Sequence, residues 1–223
     1  MSTTTRSPAK KTNGRPVVVK RRPADVRRHD RYYMSVAETV RGSETDNGSD
    51  RDGANCWGSK VGAVIVQGDG PTGERIISTG YNGTPAGFKN CLEGGCVRCE
   101  RRRKDPKMSG TSLDTCVCVH AEQNAFLSAA RFGISVQGST IYSTISPCFN
   151  CLKEAIQAGV KRLVYSTLYV GKYELEVQQQ YDDLVDRMRG KDPLNFEQVT
   201  GAGGGIDKVG QFPDPATEAK RSA

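Results

Sequence analysis

Apolar residues recur along the chain in two periods. Over residues 29–41, Tyr32, Tyr33, Val36 and Val40 fall at helical spacing and predict a first amphipathic helix, with both tyrosines as packing residues. Residues 61–66 form a short, continuous run rich in β-branched side chains, the pattern of a strand buried on both faces. A second strand over residues 75–81 follows a glycine- and proline-rich turn at 68–73, so the two read as a hairpin. Residues 119–132 read as a helix with Ala125, Phe126, Ala129 and Ala130 near one face and Gly133 where a helix would end. A third strand is predicted at 139–145. Then comes a helix from Pro147 to Gly159 carrying Leu152, Ala155 and Ile156, and a fourth strand at 162–167. A last helix at 174–189 would bury Leu175, Tyr181, Leu184, Val185 and Met188, and residues 194–199 suggest a weaker fifth strand. The order strand, helix, strand implies parallel pairing through right-handed crossovers, and hence a layered α/β sheet.

Several stretches lack either period. Residues 42–55 are a loop by composition, and residues 88–118 hold five cysteines and a run of arginines without any apolar repeat. An irregular stretch of that length inside a compact domain needs a tie, and metal is the economical one. Residues 1–28 and 201–223 read as disordered tails, leaving 29–200 as a single domain.

Composition sharpens this picture in three ways. The net charge is +7, but the first 28 residues hold nine Lys/Arg against Asp25 alone, so the domain itself is near neutral. The basic run is expected to be a solvated arm, and nucleic acid is not the expected partner. No run approaches a membrane span and the N-terminus lacks an apolar signal core, so a soluble cytoplasmic protein is expected, with no membrane partner. The eight cysteines, without a signal peptide, read as metal ligands or reduced thiols rather than a disulfide framework.

The chemistry concentrates in two short motifs, His120-Ala121-Glu122 and, beginning 27 residues after that histidine, Pro147-Cys148-Phe149-Asn150-Cys151. Together they match the H-x-E…P-C-x-x-C signature of zinc-dependent nucleobase deamination. His120, Cys148 and Cys151 supply three zinc ligands and leave the fourth place open for water. The cysteines, three apart at a helix start, point to nearly the same side and are favoured as thiolates. Glu122 is left to move protons: from the water, to ring N3 of a cytosine, and to the departing amine. The competing reading is a closed structural zinc, with one more cysteine as fourth ligand and Glu122 only complementing the helix dipole.

Four stretches add a resemblance. They are Lys60-Val61-Gly62-Ala63-Val64-Ile65-Val66, Ser78-Thr79-Gly80-Tyr81-Asn82-Gly83-Thr84-Pro85-Ala86-Gly87, His120-Ala121-Glu122-Gln123-Asn124-Ala125 and Ser146-Pro147-Cys148-Phe149-Asn150-Cys151. Across about residues 30–170 the chain resembles the deoxycytidylate (dCMP) deaminase family. Free cytidine deaminases are less similar, since they have cysteine where His120 stands. The resemblance implies a three-layer α/β/α cytidine deaminase-like fold with a mixed sheet of about five strands. It implies hydrolysis of dCMP to dUMP and ammonia for thymidylate synthesis, with Asn82 on the deoxyribose hydroxyl, Tyr169 packed on the nucleotide and the loop 83–87 near its phosphate. It further implies a second, structural zinc. Cys56 and Cys91 stand at matching places, and Cys96 and Cys116 match the family spacing best among Cys96, Cys99, Cys116 and Cys118, although six candidates compete for four positions. A homo-oligomer, by resemblance a hexamer, with dCTP and dTTP as effectors is also implied, with Arg131 where a neighbouring subunit and effector meet. Residues 42–55 look inserted relative to the family. The alternatives are an RNA, tRNA or other nucleobase deaminase, and a zinc-stabilised nucleic-acid-binding module.

Overall fold

The computed structural model describes residues 29–42, 53–68, 73–108, 112–169, 174–191 and 195–199. The two expected tails and most of the 42–55 loop lie outside these residues. The ordered elements are α1 (Asp30–Arg41), β1 (Gly62–Gln67), β2 (Arg75–Tyr81), α2 (Val97–Lys104), α3 (Ala121–Arg131), β3 (Thr140–Ile145), α4 (Phe149–Gln157), β4 (Arg162–Thr167), α5 (Leu175–Arg189) and β5 (Phe196–Gln198). The sheet order is β2-β1-β3-β4-β5. β1 runs antiparallel to both β2 and β3, whereas β3/β4 and β4/β5 are parallel.

The alternation of side chains along each strand divides the core into two layers. Val64, Val66, Tyr142 and Val164 face α1, meeting Tyr33, Met34 and Ala37. Ala63, Ile65, Ile141 and Leu163 face the opposite way, toward Ala121 and Ala125 of α3, Leu152 and Ala155 of α4 and Tyr181 of α5. The result is the expected α/β/α sandwich around a mixed five-stranded sheet. Three sequence expectations fail in detail. Tyr32 is exposed because only its neighbour Tyr33 points at the sheet, and Leu175 is exposed because it opens α5 before that helix reaches the core. The helix α2 was not expected, since Cys99 is its one buried side chain and no apolar stripe announces it.

Topology gathers the chemistry at one edge. Since β2 and β3 are both antiparallel to β1, they run the same way, and β4 is parallel to β3. The segments following β2, β3 and β4 therefore leave the same edge of the sheet. They carry Asn82, the Ser146–Cys151 turn and Tyr169. Ligands in open α/β sheets gather at the carboxyl ends of parallel strands, and the site here follows that rule.

A buried ionic knot joins the outer elements. Arg162, first in β4, donates to both carboxylate oxygens of Asp30 in α1 (2.6 and 2.7 Å) and to Glu197 Oε2 in β5 (2.9 Å). The Tyr142 hydroxyl donates to Asp30 Oδ1 at 2.9 Å. Burial dominates at Tyr142 and, with the Asp30 charge, raises its pKa.

Candidate active site and metal centres

His120 sits at the N-cap of α3 in extended backbone. Its N–H donates to Gln123 Oε1 (3.1 Å), and Gln123 Nε2 donates to Glu154 Oε1 of α4 (3.0 Å). Two hydrogen bonds thus hold the start of α3 against α4, the helix that presents the cysteines. Cys148 is the N-cap of α4, and Cys151 lies buried in its first turn. The Nδ1 atom of His120 stands 3.4 Å from Cys148 Sγ and 3.4 Å from Cys151 Sγ.

These three side chains fit zinc. Tetrahedral bonds near 2.0–2.1 Å to nitrogen and 2.3 Å to sulfur place the two ligand atoms about 3.5 Å apart. Among the described residues the group holds three potential ligands, and no further His, Cys, Asp or Glu joins it. The electrostatics agree with a cation site. Hydrogen bonding from Cys151, and then the imidazole, pulls the Cys148 thiol down to about 4. The Cys148 bond, working against burial, lifts His120 to about 9. Both shifts favour the thiolate at Cys148, the form in which a cysteine binds metal.

Glu122 lies in the first turn of α3, 5% exposed, and is not among those ligands. Burial, followed by the negative charge of Cys148, raises its carboxyl above the usual carboxylate range. The Ser143 hydroxyl donates to its Oε1 at 3.2 Å and fixes the side chain's direction. Ser143 lies in β3, and its inward position was not singled out from sequence.

The backbone of β2 sets the seat of α3. Ser78 Oγ donates to the Ala125 carbonyl (2.6 Å), and Asn124 Nδ2 donates to the Tyr81 carbonyl (2.7 Å). Between them, a Cβ at Gly80 would collide with the Ala121 carbonyl oxygen and the Ala125 nitrogen, so only glycine permits this approach. Gly80→Ala should therefore push α3 outward and cost about 1–3 kcal/mol of stability, the usual range for overpacking. Urea unfolding of the zinc-loaded chain measures this, and an unchanged midpoint would show that the helix seat is slack.

Asn82 is buried, and its amide already works: Oδ1 accepts from the Val61 N–H (2.8 Å) and Nδ2 donates to the Ser59 carbonyl (2.7 Å). It clamps the approach to β1 to the end of β2. Tyr169 is half-buried just beyond β4, its N–H donating to Ser146 Oγ at 2.7 Å. Its hydroxyl pKa is raised by burial and by the Cys148 charge, and opposed by Arg98 and Arg102. That places it in the field of both the His–Cys–Cys group and α2. Arg131 is exposed at the end of α3.

The other six cysteines gather in one cluster, five of them buried and Cys116 half-buried against them. The sulfurs of Cys56, Cys91, Cys99 and Cys118 lie within 4.8 Å of one another, as do those of Cys96, Cys99, Cys116 and Cys118. The expected set Cys56, Cys91, Cys96 and Cys116 is not brought together as one group. Each observed quartet takes two of those four and completes itself with Cys99 and Cys118. The physical reason is α2: Cys96 caps it and Cys99 lies one turn on, so the helix turns Cys99 into the cluster. The C-x-x-C spacing of Cys96 and Cys99 was the available signal.

Residues 28–167 match the family model described as "Cytidine and deoxycytidylate deaminase zinc-binding region". The chain belongs to the cytidine and deoxycytidylate deaminase family. Zinc is accordingly the metal of the matched region. Over 140 residues the chain is 43% identical to a protein of Schizosaccharomyces pombe named deoxycytidylate deaminase, covering 63% of this chain and 37% of that protein. The protein of the same name in phage T4 is 39% identical over 142 residues, covering 52% of this chain and 71% of that one. A solved dCMP deaminase of cyanophage S-TIM5, in complex with dCMP and dUMP, is 28% identical with a TM-score of 0.47, covering 82% of this chain and all of that one. This chain spans under two fifths of the length of the Schizosaccharomyces relative. Among the described residues no helix is long and apolar enough to cross a membrane.

Proposed function

We propose that this chain hydrolyses dCMP to dUMP and ammonia, supplying dUMP for thymidylate synthesis, with residues 29–200 as its catalytic domain. The observation that carries the reading is Glu122: a buried carboxyl, not a ligand, beside a three-ligand metal group with an open position. His120, Cys148 and Cys151 would hold one zinc, which would supply a water activated near neutral pH. Glu122 would take a proton from the attacking water and deliver it to ring N3 of the cytosine, then take the second proton from the hydroxyl formed at C4 and hand it to the departing amine. C4 gains the oxygen and loses ammonia, so the ring leaves as uracil. Ser143 keeps the carboxyl aimed throughout.

The nucleotide class is supported by the relatives named deoxycytidylate deaminase. Asn82 takes the deoxyribose hydroxyl: its amide retains one N–H and one lone pair beyond the two bonds it makes. Tyr169 packs on the nucleotide, and the loop 83–87 lies toward the phosphate, with the Arg98 and Arg102 charges that reach Tyr169 available to attract it. The six-cysteine cluster holds structural metal. We assign a homo-oligomer, a hexamer, with dCTP and dTTP as effectors and the exposed Arg131 at a subunit boundary.

One assay tests the reading. Purified chain is supplied with CMP, dCMP, dCTP, cytidine or single-stranded DNA and ammonia release is followed. Preference for dCMP is expected. Release from DNA alone would move the assignment to a polynucleotide deaminase, and release from none of them would overturn it.

A further inference from the structure

We propose that the six-cysteine cluster binds two zinc ions rather than one, bridged by the thiolates of Cys99 and Cys118. Cys56 and Cys91 complete the coordination of the first ion, and Cys96 and Cys116 that of the second.

Ligand arithmetic leads here first. Two four-coordinate ions need eight metal–sulfur bonds, and six sulfurs of which two are shared supply eight. The two quartets overlap in that way, with Cys99 and Cys118 common to both. Distances agree. Zinc–sulfur bonds near 2.3 Å give a tetrahedron with sulfur–sulfur edges of about 3.8 Å. Cys56 and Cys99 stand 3.8 Å apart in the first quartet; Cys96 and Cys116 (3.8 Å) and Cys99 and Cys116 (3.7 Å) match in the second. A single ion would use one quartet and leave two cysteines of the other with no role. All eight cysteines are free, and these separations are far beyond a disulfide bond. An iron–sulfur centre is less suited, because its irons are bridged by inorganic sulfide, whereas the bridging places here are filled by the chain's own sulfurs.

The surroundings suit the charge. Six thiolates around two dications leave two negative charges in a buried place. The Gly58 N–H donates to Cys56 Sγ (3.3 Å) and the Trp57 N–H to Cys91 Sγ (3.4 Å). The helix that contributes Cys99 also carries Arg98, Arg101, Arg102, Arg103 and Lys104. Arg102 reaches so close over Gly58, next to Cys56, that a Cβ there would strike its guanidinium. Arg103 lies over the Trp57 ring, 5.0 Å from its centre. The Arg102 guanidinium thus stands beside the cluster. The bridging Cys118 is two residues from His120, and Val119 between them is paired with Gly83 by bonds of 2.8 and 3.2 Å. The binuclear site therefore sets the entry of the chain into α3.

Zinc counting tests this on the full chain. Elemental analysis should find three zincs per chain, and two in a Cys148→Ala/Cys151→Ala variant that lacks the other metal group. One zinc remaining in that variant, or iron in place of zinc, would overturn the proposal. Two zincs in both forms would instead remove the metal from the His120 group and leave this cluster intact. Bridging is read in the cadmium-113-loaded chain by proton–cadmium correlation. The β-protons of Cys99 and Cys118 should each correlate with two cadmium signals and those of the other four with one; single correlations throughout would refute it.

Discussion

Glu122→Gln is expected to lower the rate of ammonia release from dCMP by about 10²–10⁴-fold, the range that positioned general acid–base groups supply. The amide keeps the volume of the carboxyl and can still meet the Ser143 hydroxyl at its oxygen. What it cannot do is take a proton from water and return it to ring nitrogen and amine. Because Glu122 is not one of the three ligands, zinc content should not change. The measurement pairs steady-state turnover with elemental zinc on the same preparation. Unaltered turnover would remove Glu122 from the mechanism. Lost turnover with lost zinc would make it a support of the metal site instead.

The second large effect concerns stability and lies across the sheet. Asp30→Ala should cost about 3–5 kcal/mol, the range observed when one partner of a buried ion pair is removed. Arg162 would keep Glu197 but lose two short bonds from a guanidinium whose side chain is 4% exposed, and Tyr142 would lose its acceptor. Desolvating these charges is costly, so the intact knot itself contributes far less than its rupture removes. Accordingly, Asp30→Leu/Arg162→Met/Glu197→Gln should recover most of the loss, since apolar replacement of a buried ionic group is often neutral. Urea unfolding of the three proteins decides it. A loss under 1 kcal/mol in Asp30→Ala would show that water reaches the site and screens it.

Local signals carried much of the fold. The continuous apolar run of β1 and the glycine-rich turn before β2 marked the hairpin, because a strand buried on both faces has no polar face to show. The periodicity of α3 and α5 located both helices within a residue or two. α2 was illegible: it is short, mostly basic and held by one cysteine, so what stabilises it is a tertiary contact and not an amphipathic stripe. The Asp30–Arg162–Glu197 knot was equally hidden, since an arginine opening a strand looks like a surface residue until its partners, 132 and 35 positions away, are brought to it.

By itself the sequence determined the parts of the candidate site. The identities and spacings of His120, Glu122, Cys148 and Cys151 are local chemistry, set by ligand preference and by the geometry of two helix starts. Tertiary structure alone decided how the remaining cysteines divide. Six thiols spread from Cys56 to Cys118 are compatible with many quartets by spacing. Only the packing of α2 against the 54–58 loop and the lead into α3 makes Cys99 and Cys118 common to two of them, because which sulfurs can share an ion depends on distances in space that chain separation does not encode.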